Sequence, residues 1–198
     1  MHNFLITGMG RSGTRFLAET MNLSKKWTVM HEPDGPMDMR QPIEKIKGRF
    51  NRNYYGEINS HLRFCADQIE VEKRGIILRN PIDLWFSITT WHAHKKQRWP
   101  QDLASMKRVV PHLLKLAESG RYRVIFFDRM ISDVEHLRDI FADFGIDDVE
   151  ITAEILGKKT NQAPAHVRRT TWDDFSTETR REITRLNDMY FGWIHGKP

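Results

Sequence analysis

The sequence feature that most constrains the fold is a short apolar run leading through a glycine-rich turn into a helical pattern, Ile6-Thr7-Gly8-Met9-Gly10-Arg11-Ser12-Gly13-Thr14-Arg15-Phe16-Leu17. Glycine permits tight turns and lets backbone N–H groups approach a ligand closely. The N-terminal end of the following helix adds positive potential. The segment therefore predicts a strand, a turn and a helix start that together form a cradle for a phosphate-like anion.

The spacing Gly8-x4-Gly13-Thr14 matches the phosphate-binding loop of nucleoside triphosphatases, except that the lysine expected before the hydroxyl residue is absent. In those enzymes the lysine reaches the β- and γ-phosphates. Its absence disfavours ATP or GTP hydrolysis. The positive charge at Arg11 indicates a different anion.

A second strand-to-helix segment is Gly75-Ile76-Ile77-Leu78-Arg79-Asn80-Pro81-Ile82-Asp83-Leu84-Trp85-Phe86-Ser87. Asn80 is a good N-cap, Pro81 suits the first helical position, and Asp83 favours the positive end of the helix. Arg79 is expected at the carboxyl end of the strand and Ser87 about two turns into the helix. An arginine and a serine so placed can share one phosphate.

Together the two segments make the chain resemble sulfotransferases that use 3′-phosphoadenosine 5′-phosphosulfate. The Arg11 variant of the loop and the later Glu32-Pro33 are closer to the carbohydrate and bacterial branches than to the cytosolic phenol and steroid enzymes. The resemblance implies a P-loop-like fold and transfer of a sulfuryl group to a hydroxyl or amine of a small-molecule or carbohydrate acceptor. The product would be adenosine 3′,5′-bisphosphate, and no metal is required.

The resemblance also implies the residues that bind the donor. The loop would hold the 5′-phosphosulfate, with Arg11 stabilising the leaving phosphate, while Arg79 and Ser87 would hold the 3′-phosphate. The predicted donor-binding set is Gly10, Arg11, Ser12, Gly13, Thr14, Arg15, Arg79, Ser87, Arg168 and Arg169. Three members have alternative interpretations: Arg15 as the partner of an acidic neighbour, and Arg168 and Arg169 as exposed charges.

The general base is predicted to be Glu32, which follows the apolar run Trp27-Thr28-Val29-Met30. Its rival is His31, because imidazole suits proton abstraction near neutral pH. Adjacent strand residues point to opposite faces, so only one of the two is expected to face the site.

Composition agrees with one soluble domain over residues 1–198, with 39% hydrophobic residues and a formal net charge of +5. This modest surplus fits an anionic ligand, and no nucleic-acid module is recognisable. The single cysteine, Cys65, fits a reducing compartment, and no run approaches the ~20 apolar residues of a membrane span. We expect a cytoplasmic protein of bacterial or viral origin, or a truncated chain.

Strands are predicted near 3–7, 27–30, 75–79 and 122–128, which indicates an α/β fold with a mostly parallel sheet flanked by helices. Segment 34–74 is interpreted as an insertion or acceptor-side segment, or simply a surface loop, with a helix over about 57–72. A capping box at Ser132 to Glu135 predicts a helix ending near Gly145, and a further helix is expected near the C-terminus.

Two other functions remain open at this stage. A P-loop small-molecule kinase would use similar scaffolding but needs a magnesium-binding carboxylate and normally the missing lysine. A non-catalytic nucleotide-binding module would keep the cradle without the base.

Overall fold

The computed structural model describes residues 1–94, 101–157 and 167–196 of the chain. Within them, five strands form one sheet: β1 (Asn3–Gly8), β2 (Thr28–His31), β3 (Tyr55–Ile58), β4 (Lys73–Leu78) and β5 (Arg123–Phe126). The predicted strands correspond to β1, β2, β4 and β5. The α/β fold class is confirmed.

The sheet order is β2-β3-β1-β4-β5, and every neighbouring pair is parallel. β1 lies at the centre, with Ile6 opposite Ile58 of β3 and Gly75 of β4. All the strands point in one direction, so their carboxyl ends meet at one edge. In such sheets this edge is where ligands bind.

Helices and turns connect the strands across the described residues. The α-helices are α1 (Thr14–Met21), α2 (Ile43–Arg49), α3 (Pro81–His94), α4 (Gln101–Glu118), α5 (Phe127–Met130), α6 (Val134–Asp143), α7 (Ala153–Gly157) and α8 (Thr177–His195). Short 3₁₀ helices span Gly35–Arg40, Ser60–Leu62, Ala66–Gln68 and Trp172–Asp174. The expected C-terminal helix is α8. None of the helices in the described part of the chain is long and apolar enough to cross a membrane.

Both faces of the sheet are buried. Along β1, Leu5 joins one apolar cluster, with α3, α4 and α8, while Phe4 and Ile6 join the other, with α1 and α6. On β4, Ile76 belongs to the first of these clusters and Ile77 to the second. Burial on both faces explains why these strands are continuous apolar runs rather than alternating ones.

The predicted helix over 57–72 is wrong. The segment begins in β3 and continues through the two 3₁₀ helices Ser60–Leu62 and Ala66–Gln68. Glu57 and Asn59 lie in the segment predicted as a helix, yet both side chains are fully buried and hydrogen-bonded to each other. Segment 34–74 therefore supplies a strand to the middle of the sheet.

The N-cap of α6 also differs from the prediction. Asp133, not Ser132, caps the helix, and its side chain accepts a hydrogen bond from the backbone N–H of His136 at 3.0 Å. Ser132 instead donates to the backbone oxygen of Asp128 at 2.6 Å. The helix ends beside Gly145, as predicted, where a φ of 72° suits glycine.

Gly56→Ala should destabilise the protein by about 1–3 kcal/mol or more, because overpacking a rigid core forces its neighbours to move. A Cβ at Gly56 would lie 2.0 Å from the Phe4 ring, which is completely buried. Urea unfolding measures the loss. Gly48→Ala in α2 is the matched control, because its Cβ would meet nothing within 4 Å and alanine favours a helix interior. Equal stability of the two variants would contradict the prediction.

Candidate active site

The loop between β1 and α1 has the geometry of an anion cradle. Arg11 and Gly13 have positive φ values of 70° and 83°, and Ser12 is buried with its N–H and Oγ both bonded to the Met9 oxygen. A Cβ at Gly10 would meet nothing, so the backbone there is open to a ligand. A left-handed arginine is uncommon and is typical of functional loops.

Arg79, at the end of β4, contacts this loop directly. Its Nη1 donates to the Arg11 backbone oxygen at 2.6 Å, and its guanidinium lies 4.1 Å from the Phe127 ring centre. The adjacent Asn80 caps α3 as predicted, accepting from the N–H groups of Ile82 and Asp83 at 2.8 and 3.2 Å. The two motifs predicted from sequence therefore meet in space.

Arg11 reaches from the loop to α3. Its Nε donates to Ser87 Oγ at 3.4 Å, and its guanidinium lies 4.5 Å from the Trp91 ring centre. Burial, and then the positive charge of Arg79, lower the pKa of Arg11 to about 10. Arg11, Arg79 and Ser87 therefore form one group, with two cations close enough to repel each other.

Neither arginine is neutralised by the protein. Within residues 1–94, 101–157 and 167–196, no carboxylate forms an ion pair with Arg11 or Arg79, and the buried Nε of Arg79 has no hydrogen-bond partner. Burial lowers the pKa of Arg79, and the more distant Asp83 and Asp128 only partly offset this. An anion at this edge would satisfy an orphaned donor and two uncompensated charges. The residues present therefore fit phosphate groups.

Glu32 and His31 follow β2 at the same edge. His31 Nε2 lies 3.2 Å from Thr14 Oγ1, and 3.9 Å from Glu32 Oε1. The expectation that only one of the two faces the site is wrong. Glu32 has a φ of 45°, so it has left the alternating strand conformation and its side chain turns to the same side as His31.

Two residues at the end of β3, Ser60 and His61, complete this group and were missed in the sequence. Ser60 Oγ donates to Glu32 Oε1 at 2.5 Å, and His61 Nε2 lies 3.6 Å from Glu32 Oε2. The signal that could have revealed them is Asn59, which directly follows β3 and whose side chain caps the turn by accepting from the His61 N–H. The wrongly predicted helix concealed that strand end.

The environment of Glu32 favours its ionised form. Burial alone would raise the pKa of this carboxyl, but the nearby His61 imidazole, the hydrogen bond from Ser60 and the charge of His31 lower it to about 2. Glu32 is therefore an anion at neutral pH, held between two imidazoles.

A buried ionic network lies behind Ser60 and His61. Arg49 of α2 contacts Asp38 at 2.7 Å and Glu57 at 2.9 Å, and both carboxylates are buried. Asn59 Nδ2 donates to the same carboxylates at 2.5 and 2.8 Å, while its Oδ1 accepts from the His61 N–H at 2.9 Å. The network holds the chain where it leaves β3 and so orients the Ser60–Leu62 turn.

The remaining predicted residues lie at the surface. Arg15 is exposed and pairs with Glu19 at 2.6 Å, one turn along α1. Arg168 and Arg169 are exposed, and Arg168 pairs with Asp174 at 2.8 Å. The next residue, Thr170, bonds to Thr90 of α3, so this segment packs on the helix that carries Ser87. Residues 158–166, which precede this segment, lie outside the described residues.

Comparison with solved structures identifies sulfotransferases of the same fold. A sulfotransferase from Alicyclobacillus acidocaldarius has a TM-score of 0.61 and 18% identity, covering 99% of this chain and 95% of its own. Mouse sulfotransferase SULT7A1, complexed with PAP, has a TM-score of 0.60 and 17% identity, with coverages of 95% and 84%. The sulfotransferase domain of the Synechococcus PCC 7002 olefin synthase has a TM-score of 0.54 and 13% identity, with coverages of 94% and 93%.

No protein-family model matches the sequence. The search of curated proteins likewise finds no match. The likeness therefore lies in the three-dimensional arrangement, and the chain has the sulfotransferase fold. The resemblance deduced from the two phosphate motifs is confirmed at the level of the fold.

Arg49→Met should cost about 3–5 kcal/mol of stability at neutral pH, because it leaves Asp38 and Glu57 as buried charges without their cation. Urea unfolding at several pH values measures the effect. Burial, opposed only in part by Asn59 and Arg49, raises the pKa of Glu57, so the folded state binds its proton more readily than the unfolded state. The loss should therefore shrink on acidification.

The matched control is Arg52→Met, which removes an exposed arginine nearby, 5.7 Å from the Tyr55 ring centre. It should change stability by only a few tenths of a kcal/mol, in keeping with an exposed site. A loss in Arg49→Met that is independent of pH would contradict the electrostatic explanation.

Proposed function

We propose that this protein is a sulfotransferase that uses 3′-phosphoadenosine 5′-phosphosulfate. The observation that carries the proposal is the pair of uncompensated guanidiniums, Arg11 and Arg79, at a phosphate loop that lacks the triphosphatase lysine. The fold supports it, since one structure of this fold, mouse SULT7A1, is complexed with PAP.

The donor supplies the sulfuryl group, and its leaving group is adenosine 3′,5′-bisphosphate. The backbone from Gly10 to Thr14 would hold the 5′-phosphate end, with N–H groups and the Thr14 hydroxyl as donors. Arg79 and Ser87 would hold the 3′-phosphate, for which the guanidinium offers two parallel donors. Arg15, Arg168 and Arg169 stay predicted contributors, the last two from beside α3.

Arg11 would stabilise the charge that develops on the bridging oxygen as its bond to sulfur breaks. A positive group fixed beside a leaving oxygen in a partly buried site lowers the barrier without reorganisation. Its contact with Ser87 keeps the guanidinium beside the proposed 3′-phosphate site. Arg11 can therefore act at both ends of the proposed donor site.

The acceptor oxygen or nitrogen would attack sulfur while its proton passes to the group formed by Glu32, His31 and His61. A general base works best with a pKa near the operating pH, and a carboxyl with a pKa of about 2 is far from that range. We therefore extend the prediction of Glu32 as base to the Glu32–His61 pair, in which the imidazole accepts the proton and the carboxylate stabilises the resulting cation.

Arg79→Ala should weaken binding of adenosine 3′,5′-bisphosphate by tenfold or more while changing adenosine 5′-monophosphate binding much less, since a charge-assisted bidentate contact contributes at least ~1.4 kcal/mol. Titration calorimetry without and with magnesium measures both. Arg79→Lys keeps the positive charge but loses the two parallel N–H donors of the guanidinium. Its affinity for the bisphosphate should therefore lie between those of wild type and Arg79→Ala. Equal weakening of both nucleotides would refute the 3′-phosphate assignment, and magnesium-dependent preference for ATP would favour a kinase.

His61→Gln and Glu32→Gln should each lower kcat by about 10²–10⁴-fold, the usual contribution of general-base catalysis. His31→Gln tests the rival base and should have a smaller effect, because the proposed proton acceptor is the Glu32–His61 pair. Rates are measured with the best acceptor from a panel of phenols, sugars and amines, after calorimetry has shown that each variant binds the nucleotide.

The pH profile separates the two candidate bases. If Glu32 alone accepts the proton, kcat should stay flat on acidification until its pKa of about 2 is approached. If an imidazole accepts it, kcat should fall in the mildly acidic range, where histidines take up protons. A flat wild-type profile together with an active His61→Gln variant would return the role to Glu32 alone.

A further inference from the structure

A cationic aromatic cluster lies next to the proposed base and contains none of the residues that we propose for donor binding. We call it the Phe64 cluster; it consists of Arg63, Phe64, Arg108 and His112. The guanidiniums of Arg63 and Arg108 lie 5.3 and 5.4 Å from the centre of the Phe64 ring, and the His112 ring lies 4.8 Å from it. Phe64 is nevertheless 44% exposed, so one side of its ring is open to a ligand.

The cluster connects to the base through Ser60. Arg63 Nη1 donates to the Ser60 backbone oxygen, while the Ser60 hydroxyl donates to Glu32. Arg63 is the C-terminal residue of the turn that carries His61, and His112 holds it from α4 through a 2.8 Å contact to its backbone oxygen. The cluster therefore lies beside the carboxylate and imidazole that would meet the acceptor.

The Phe64 cluster carries positive charge without a paired carboxylate in the described part of the chain. Among the described residues, no carboxylate lies within ion-pair distance of Arg63 or Arg108, and the buried Nε of Arg63 has no hydrogen-bond partner. Burial lowers the pKa of Arg63; Glu32 offsets this in part, and Arg108 adds to it. Lys107, the neighbour of Arg108 on α4, is by contrast paired with Glu182 at 3.4 Å.

We propose that the Phe64 cluster is an acceptor subsite for an anionic substituent, carried by an acceptor whose reacting hydroxyl lies at Glu32 and His61. This inference rests on the proposed sulfotransferase function. Two guanidiniums around one exposed ring offer charge-assisted donors for a carboxylate or sulfate ester and an apolar face for the adjoining body of the acceptor. The substrate class is therefore a hydroxylated anion.

Arg108 is the residue that tests this role. Arg63 also holds Ser60, so removing it would disturb the base and the subsite together. Arg108 is exposed, and its guanidinium lies over the Phe64 ring. Among the described residues, no chain of hydrogen bonds connects Arg108 to Glu32. Its substitution leaves the proposed catalytic group intact.

The test compares 4-hydroxybenzoate with its neutral analogue 4-hydroxybenzamide, two probes of equal size that differ in charge. Adenosine 3′,5′-bisphosphate is titrated first and kept saturating, so that the phosphate loop is filled. Dissociation constants for both probes are then measured by calorimetry or NMR on wild type, on Arg108→Gln, and on Lys107→Gln as a control with the same loss of charge on the same helix.

We expect wild type and Lys107→Gln to bind the benzoate at least tenfold more tightly than the amide, and Arg108→Gln to lose most of that preference. Equal binding of the two probes, no binding of either, or a preference that survives in Arg108→Gln would overturn the subsite. Failure of the proposed function is seen separately, as absence of nucleotide binding in the first titration.

Discussion

The site depends on the parallel pairing of β1 with β3 and β4. Because these strands point the same way, the turn after β1, the turn after β3 and Arg79 after β4 all emerge at one edge of the sheet. β2 pairs with β3 in the same direction and brings Glu32 there. Since both faces of the sheet are covered by helices, this edge is the place where polar groups can meet a ligand.

The arginines near this edge differ in how their positive charges are compensated. Arg49 forms ion pairs with the buried carboxylates of Asp38 and Glu57, so it belongs to the internal structure. Arg11 and Arg79 instead contact a backbone oxygen, a hydroxyl and aromatic rings, none of which carries a full negative charge. Burying a cation without its counter-ion raises the free energy of the folded state. Such groups occur most often at functional sites, where a bound ligand supplies the opposite charge. The missing counter-ion is what separates Arg11 and Arg79 from Arg49, and it supports their proposed role in binding an anion.

Structural features were predictable from sequence where the interactions that fix them join residues close together in the chain. Arg11 and Gly13 depend on backbone geometry within a few residues, as does the capping of α3 by Asn80, so their motifs were readable. Glu57 and Asn59 fall in the segment wrongly predicted as a helix, and their partners, Arg49 and Asp38, come from other elements. A buried polar residue looks like a surface residue until its partners are known. The missed strand β3 followed from that error.

The sequence by itself determined the α/β class and the two strand-to-helix motifs predicted to bind anions, since apolar runs, glycine spacing and helix caps act over short stretches of chain. Only the tertiary structure decided which side chains join Glu32. Its left-handed backbone turns it towards His31, and the neighbouring β3 delivers Ser60 and His61 from 28 and more residues away. These contacts depend on strand order and on burial. Both are properties of the whole sheet, which no local pattern encodes.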